Sequence, residues 1–117
     1  MRRIEVLVIE DSSADLFWLK TVLDETGIKH GLSVANNGER AVDFLLKKRE
    51  FANAPTPDLI LLDVHLPILT GVEVLHQVPN VERLPICVLT SSEAERETFR
   101  AEFGIEGLQV HGQTSQF

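Results

Sequence analysis

The stretch DLILLDVHLPILTG, residues 58–71, carries the most strand-like run of the chain and ends that run on a carboxylate, Asp63. The four aliphatic residues at positions 59–62 predict a strand that is buried on both faces, as in a parallel sheet. Pro67 and Gly71 then indicate a loop that leads into a short helix. An acidic residue at the end of so apolar a strand raises the question of its purpose.

Similar aliphatic runs alternate with helical patterns along the rest of the chain. We predict further strands at residues 4–9, 30–35, 86–89 and 108–110, and helices at residues 14–26, 39–49, 72–78 and 93–103. This alternation predicts an α/β domain whose parallel sheet is covered by helices on both faces. The chain shows no internal repeat or linker, so we expect residues 1–117 to form a single domain.

The composition indicates a soluble, acidic domain, with 18 acidic and 11 basic residues and a net charge of −7. A general binder of phosphate backbones needs a basic face, so we expect no nucleic-acid partner. The single cysteine, Cys87, lies in an aliphatic run, which indicates a core residue in a reducing compartment. The apolar runs are too short to span a bilayer, so we expect a cytoplasmic protein without a membrane partner.

Polar side chains follow three of the predicted strands. Glu10 and Asp11 follow the first strand, Asp63 follows the third and Thr90-Ser91-Ser92 follows the fourth. The carboxyl ends of parallel strands meet at one edge of a sheet, where carboxylates repel one another unless a hard cation lies among them. Oxygen ligands of this kind suit Mg²⁺. Each residue alone is more typical of a turn or a helix cap, so the predicted magnesium site rests on their convergence.

The motifs at these strand ends resemble those of the receiver domain of two-component response regulators. The resemblance covers residues 4–107 and rests on Glu10-Asp11-Ser12, on Asp63 followed by Pro67 and Gly71, and on Leu84-Pro85-Ile86 leading to Thr90 and Ser91. It implies an α/β, doubly wound, five-stranded parallel sheet in the flavodoxin-like order 2-1-3-4-5. The loop at residues 52–58 and the start of the first helix are most similar to single-domain regulators that partner bacterial phytochrome histidine kinases.

The resemblance also implies a role for each residue of the site. Asp63 would accept a phosphoryl group from a kinase histidine in a phosphorelay, which makes the chain a signalling phosphoprotein and not an enzyme. Asp11, Asp63 and the backbone carbonyl of His65 would bind Mg²⁺, with Glu10 acting through a bound water, while the His65 side chain stays exposed. Thr90 would move its hydroxyl onto the acyl phosphate. Receivers often associate through the fourth helix and fifth strand, so the resemblance also implies a possible homodimer through these elements.

The sequence departs from the receiver pattern near its end. Receivers carry a lysine and then a proline at the end of the fifth strand, whereas His111 and Gly112 stand here and no lysine follows Lys48. A histidine has a shorter reach and no permanent charge, so His111 is a weak substitute at the phosphoryl group. Leu108 stands where receivers usually have an aromatic switch residue. Residues 112–117 are too short for the last helix, so we expect that helix to be missing.

Two pairs of apolar residues allow two interpretations each. Trp18 and Val22 widen the apolar stripe of the first helix, and Phe99 and Phe103 stand one turn apart on the fourth. Packing in the core is the favoured interpretation for both pairs. The alternative is that each pair forms a surface for a partner or a second copy. Trp18 and Val22 would be exposed for this purpose by the loss of a neighbouring helix.

Three functions are compatible with these residues. A phosphorylatable stand-alone receiver is favoured by the presence of Glu10, Asp11, Asp63 and Thr90. A degenerate or truncated pseudo-receiver, acting as a protein-interaction module without phosphorylation, is favoured by the absent lysine and last helix. A haloacid-dehalogenase-like phosphatase also uses an aspartyl nucleophile, but it needs a second aspartate where His65 stands.

Overall fold

The computed structural model describes residues 3–66, 70–80 and 83–109. Five strands and four α-helices alternate in these ranges. The strands are β1 (Ile4–Ile9), β2 (His30–Ala35), β3 (Leu59–Asp63), β4 (Ile86–Thr90) and β5 (Glu106–Gln109). The helices are α1 (Ser13–Glu25), α2 (Gly38–Leu45), α3 (Gly71–Gln77) and α4 (Glu93–Phe103), and a 3₁₀ turn at Arg49–Phe51 follows α2.

The strands form one sheet in the order β2-β1-β3-β4-β5, and every neighbouring pair is parallel. The predicted fold class and strand order are therefore confirmed. The central strands are aliphatic on both faces because helices lie above and below the sheet, which is the arrangement that parallel strands require. Leu7, Ile60 and Leu62 are fully shielded from solvent at the centre of this sheet.

The two faces of the sheet are covered unequally. On one face α2, α3 and α4 bury a large core that includes Phe44, Val74 and Phe99. On the other face α1 alone contributes a buried side chain, Leu19, to a smaller cluster with residues of β1 and β4. The described residues thus hold four α-helices, one fewer than the five usual in a receiver. Among them, no helix has the length and apolar character needed to cross a membrane.

Several predicted boundaries need correction. The helix predicted at residues 39–49 ends at Leu45, because Lys47 and Arg49 adopt left-handed backbone angles that no α-helix contains. The last strand lies at Glu106–Gln109 and not at residues 108–110, and its predicted final residue lies outside the described ranges. Asp63 is the last residue of β3 and pairs with Leu89, so it ends the strand from within the sheet.

The ends of the helices follow their capping residues. Ser12 accepts a hydrogen bond from the Asp15 N–H and caps α1, which begins at Ser13. Thr70 caps α3, so this helix begins at Gly71, one residue before the predicted start. Gly104 ends α4 in the left-handed region at φ 66°, where glycine has no steric penalty.

The two apolar pairs have different environments. Phe99 is buried in the larger core, and Phe103 packs partly buried against it, which confirms core packing for this pair. Trp18 and Val22 are exposed, so the core interpretation is wrong for them. They lie on α1, which covers its face of the sheet without a neighbouring helix among the described residues.

Candidate functional site

Three carboxylates meet at the carboxyl edge of the sheet. Glu10 and Asp11 follow β1, and Asp63 ends the adjacent strand β3. One carboxylate oxygen from each lies within 4.8 Å of the other two. The predicted convergence of these residues is therefore present in the fold, and it arises because parallel neighbours end at the same edge.

Glu10 is the most buried member of the cluster, with only 2% of its surface exposed. Its Oε2 accepts a hydrogen bond from the Ser12 N–H at 3.0 Å, but its Oε1 has no partner among the described residues. Burial, with the nearby charge of Asp63 adding to it, raises the pKa of Glu10 to about 8. Neither oxygen of this carboxylate has a basic partner within the described part of the chain.

Asp63 is less buried than Glu10, and its carboxyl group is also shifted in pKa. Burial is the main cause that raises the pKa of Asp63, and the charge of Asp11 raises it further, while the His65 N–H acts in the opposite direction. That N–H donates to Asp63 Oδ1 at 3.1 Å. Gly71 lets α3 approach the end of β3, since a Cβ at this position would lie 3.3 Å from the Asp63 carbonyl oxygen. The backbone around Asp63 is therefore closely packed.

The donor set fits a hard divalent cation. Three carboxylates from two adjacent strand ends supply oxygen ligands only, which Mg²⁺ and similar ions prefer. The partnerless Glu10 Oε1 and the raised pKa of both buried carboxyls indicate negative charge that a cation would offset. Glu10, Asp11 and Asp63 are therefore suited to hold such an ion, as the sequence predicted.

Thr90 ends β4 beside this cluster and is buried. Its hydroxyl donates to Glu95 Oε1 at 2.6 Å, and its oxygen accepts the Ser92 N–H at 3.0 Å. Glu95 lies in the first turn of α4, so the hydroxyl is linked to the start of that helix. Thr90 was predicted as a site residue, whereas Glu95 was not.

His65 has an exposed side chain, as predicted, with 76% of its surface accessible. The ring nevertheless contacts the site, because its Nε2 lies 2.8 Å from Glu95 Oε2. His65 thus touches Asp63 through its backbone and Glu95 through its ring. The residue predicted at the lysine position, His111, lies outside the described residues, as does Pro67. Leu108, at the usual aromatic position, is 56% exposed.

Comparison with known proteins assigns this arrangement to a family. The fold and the acidic site define an α/β domain with a candidate cation-binding cluster at its sheet edge. A family model of the response regulator receiver domain matches residues 6–108. The chain belongs to the response regulator receiver family, which excludes the haloacid-dehalogenase alternative.

The chain is similar to named response regulators in both sequence and structure. Response regulator Rcp1 of Synechocystis sp. is 41% identical over 93 residues, which cover 77% of this chain and 63% of Rcp1. The chain thus spans less than two thirds of the length of that relative. The bacteriophytochrome response regulator RtBRR superposes with a TM-score of 0.84 at 28% identity, covering 99% of this chain and 74% of RtBRR.

Two further solved structures concern the chemistry of the site. The phosphorylated cyanobacterial phytochrome response regulator RcpA superposes with a TM-score of 0.82 at 30% identity, covering 98% of this chain and 86% of RcpA. The Mn²⁺-bound form of Rcp1 superposes with a TM-score of 0.81 at 34% identity, covering 97% of this chain and 84% of that one. The predicted similarity to regulators of the phytochrome group is confirmed.

Proposed function

We propose that the chain is a phosphoacceptor receiver of a two-component phosphorelay, with Asp63 as the residue that takes the phosphoryl group. The acidic cluster around Asp63 is the observation that carries this proposal. An Asp63 oxygen forms a bond to phosphorus while the bond between phosphorus and the kinase histidine nitrogen breaks. That nitrogen keeps the electron pair and takes up a proton.

The residues around Asp63 have distinct parts in this proposal. Asp11, Asp63 and the backbone carbonyl of His65 would hold Mg²⁺, and Glu10 would contribute through a bound water, as the family resemblance implies. When bound, the ion supplies positive charge that offsets the charge on the phosphoryl oxygens. Thr90 donates its hydroxyl to a phosphoryl oxygen, and His111 is the candidate for the place of the absent lysine. The bound Mn²⁺ of Rcp1 supports the metal assignment.

The proposed partner is a histidine kinase of the bacterial phytochrome group. The similarity of the chain to RtBRR and RcpA supports this partner class, since RtBRR is a bacteriophytochrome response regulator and RcpA a cyanobacterial phytochrome response regulator. We place the exchange in the cytoplasm, where the free thiol of Cys87 stays reduced. The product would be a signalling protein in its phosphorylated form and not an enzyme.

A homodimer through α4 and β5 is the second part of the proposal. Its support is the exposed Leu108 on β5, an edge strand of the sheet. Edge strands and exposed apolar side chains are features that a second copy can cover. The family's habit of pairing through the same elements favours this surface.

The phosphoacceptor role is tested by the intact mass of the protein after incubation with Mg²⁺ and acetyl phosphate. We expect a phosphoryl adduct on the wild type, because an Asp63 oxygen displaces acetate from phosphorus, and no adduct on Asp63→Asn. Asp58→Asn is the matched control, since Asp58 stands just before β3, at the opposite end of the strand from Asp63. This variant should retain the adduct.

The pseudo-receiver remains the alternative because no lysine follows Lys48. It predicts a folded wild type that binds Mg²⁺ and carries no adduct under the same conditions. That result would overturn the phosphoacceptor role and favour a protein-interaction module. An adduct that persists in Asp63→Asn would instead move the acceptor to another residue.

A further inference from the structure

Glu95 bridges two residues of the site with its two carboxylate oxygens. Its Oε1 accepts the Thr90 hydroxyl at 2.6 Å, and its Oε2 lies 2.8 Å from His65 Nε2. The Glu95 side chain is only about a third exposed, with 31% of its surface accessible. Hydrogen bonds to a charged acceptor in such partly buried positions are stronger than those between neutral groups.

The direction of this side chain is unusual for its place in the helix. Glu95 is the third residue of α4 after the cap Ser92, which is the spacing of a capping box. In α3 the same spacing gives the complete box, because the Glu73 side chain accepts the Thr70 N–H and the Thr70 hydroxyl accepts the Glu73 N–H. In α4 the Ser92 N–H donates to Thr90 instead, and the Glu95 carboxylate is used at the site.

The Thr90 hydroxyl has one proton, and that proton is donated in the hydrogen bond to Glu95 Oε1. The hydroxyl therefore cannot donate to a group on Asp63 until its hydrogen bond to Glu95 breaks. His65 connects this bond to the acceptor residue, since its N–H donates to Asp63 Oδ1 and its ring contacts Glu95. A change at Asp63 that displaces residue 65 thus acts on Glu95 as well.

We propose that Glu95 is a positioning residue that holds the Thr90 hydroxyl in the unphosphorylated protein and, by releasing it, lets Thr90 donate to the phosphoryl group on Asp63. In the unphosphorylated protein, the His65 ring stays in contact with Oε2 of Glu95 while Oε1 accepts the Thr90 hydroxyl; we call this the held arrangement. This inference rests on the proposed phosphoacceptor function. It adds to that function a residue of α4 and a competition between two acceptors for one proton.

The rate of adduct formation with acetyl phosphate reports how readily Glu95 releases the Thr90 hydroxyl. We expect Glu95→Ala to raise the rate of adduct formation about tenfold, the loss of one hydrogen bond to a charged group. Glu95→Gln is the matched control, because it removes the charge but keeps an acceptor for Thr90, and its rate should stay within about threefold of the wild type. In a Thr90→Ala background, Glu95→Ala should no longer change the rate.

Two kinetic results would overturn the inference. Equal acceleration in Glu95→Ala and Glu95→Gln, or acceleration by Glu95→Ala that persists with Thr90→Ala, would mean that Glu95 acts through its charge alone. If Glu95→Ala does not fold, His65→Ala replaces it, since loss of the ring contact should also accelerate adduct formation. An unchanged rate in His65→Ala would then count against the held arrangement.

A measurement without phosphate separates this inference from the function on which it rests. The hydroxyl proton of Thr90 should give an observable nuclear magnetic resonance signal in the wild type and in Glu95→Gln, because the hydrogen bond slows its exchange with water. The signal should be lost in Glu95→Ala. A signal that survives unchanged in Glu95→Ala would overturn the inference, whether or not the wild type takes up a phosphoryl group.

Discussion

Glu10 shows how a buried carboxylate prepares a site for a cation. One of its oxygens is hydrogen bonded to the Ser12 N–H, and the other lies buried without a partner among the described residues. In the metal-free protein, burial favours the protonated, neutral form of this carboxyl group. The pKa of Glu10 therefore rises to about 8. Proton and cation therefore compete for the same oxygens.

The stability of the metal-free protein should fall as the pH rises. Between the ordinary pKa of Glu10, 4.5, and its folded value of about 8, the folded chain holds a proton that the unfolded chain has lost. The stabilisation is fully present below 4.5 and disappears as the pH passes 8, and the raised pKa of Asp63 acts in the same direction. Urea unfolding in a chelator at several pH values measures this trend.

Glu10→Gln is the control for this prediction, because an amide removes the titrating group and still accepts the Ser12 N–H. The variant should lose less stability than the wild type over the same pH range. Saturating Mg²⁺ should also flatten the trend, since the ion replaces the proton. A wild-type free energy of unfolding that rises from pH 5 to pH 8 in chelator would contradict the prediction.

At this scale the sequence predicted the members of the acidic cluster but not the partner of Thr90. Glu10, Asp11 and Asp63 could be found because strand ends converge by topology alone. Glu95 could not, because its spacing from Ser92 indicates a capping box, which α3 forms and α4 does not. The direction of a long side chain depends on neighbours that the spacing does not specify.

The helix boundaries show what local patterns miss. The apolar pattern continues past Leu45, but Lys47 and Arg49 turn the chain through the left-handed region and end α2 early. Neither residue is a usual choice for that region, where glycine and asparagine are preferred. The predicted helix was too long because composition gave no stop signal there, whereas Gly104 gave one at the end of α4.

The capping box of α3 gives an exposed side chain a specific structural role. Thr70→Ala removes the acceptor of the Glu73 N–H and should lower the free energy of unfolding by about 1 kcal/mol. Thr21→Ala is the matched control, since Thr21 is exposed within α1 and its hydroxyl only donates to the Phe17 carbonyl. It should change stability by less than about 0.5 kcal/mol.

Urea unfolding of the two threonine variants, each against the wild type, decides between a cap and an ordinary surface residue. Equal losses for Thr70→Ala and Thr21→Ala would show that the capping box of α3 contributes nothing specific. The result also concerns the site, because α3 begins at Gly71, which packs against the backbone of Asp63.

At the scale of the whole molecule, the class of fold was predictable and the exposure of its surfaces was not. Aliphatic strands alternating with helices define a covered parallel sheet, and the order of the strands followed from the family resemblance. The exposure of Trp18 was missed because an apolar stripe shows what could pack and not what lies opposite. Among the described residues, only α1 packs on that face.

Self-association is the property of the whole molecule that tests the proposed dimer. We expect the wild type to show a mass that rises with concentration in sedimentation experiments, and Leu108→Ser to remain monomeric, because Leu108 is exposed on the edge strand β5. Ile28→Ser is the matched control, since Ile28 is 50% exposed but lies outside α4 and β5. A wild type that is monomeric throughout, or an equal effect of Ile28→Ser, would contradict this surface.

The all-parallel sheet has a consequence for how the protein folds. No two neighbouring strands are joined by a hairpin, so each pairing must wait for a crossover connection to close. Glu10 follows β1 and Asp63 ends β3, two strands that are distant in the chain, so these residues meet only when β1 and β3 have paired. The cation site is therefore absent from any early, locally folded intermediate, and its appearance marks the pairing of β1 with β3.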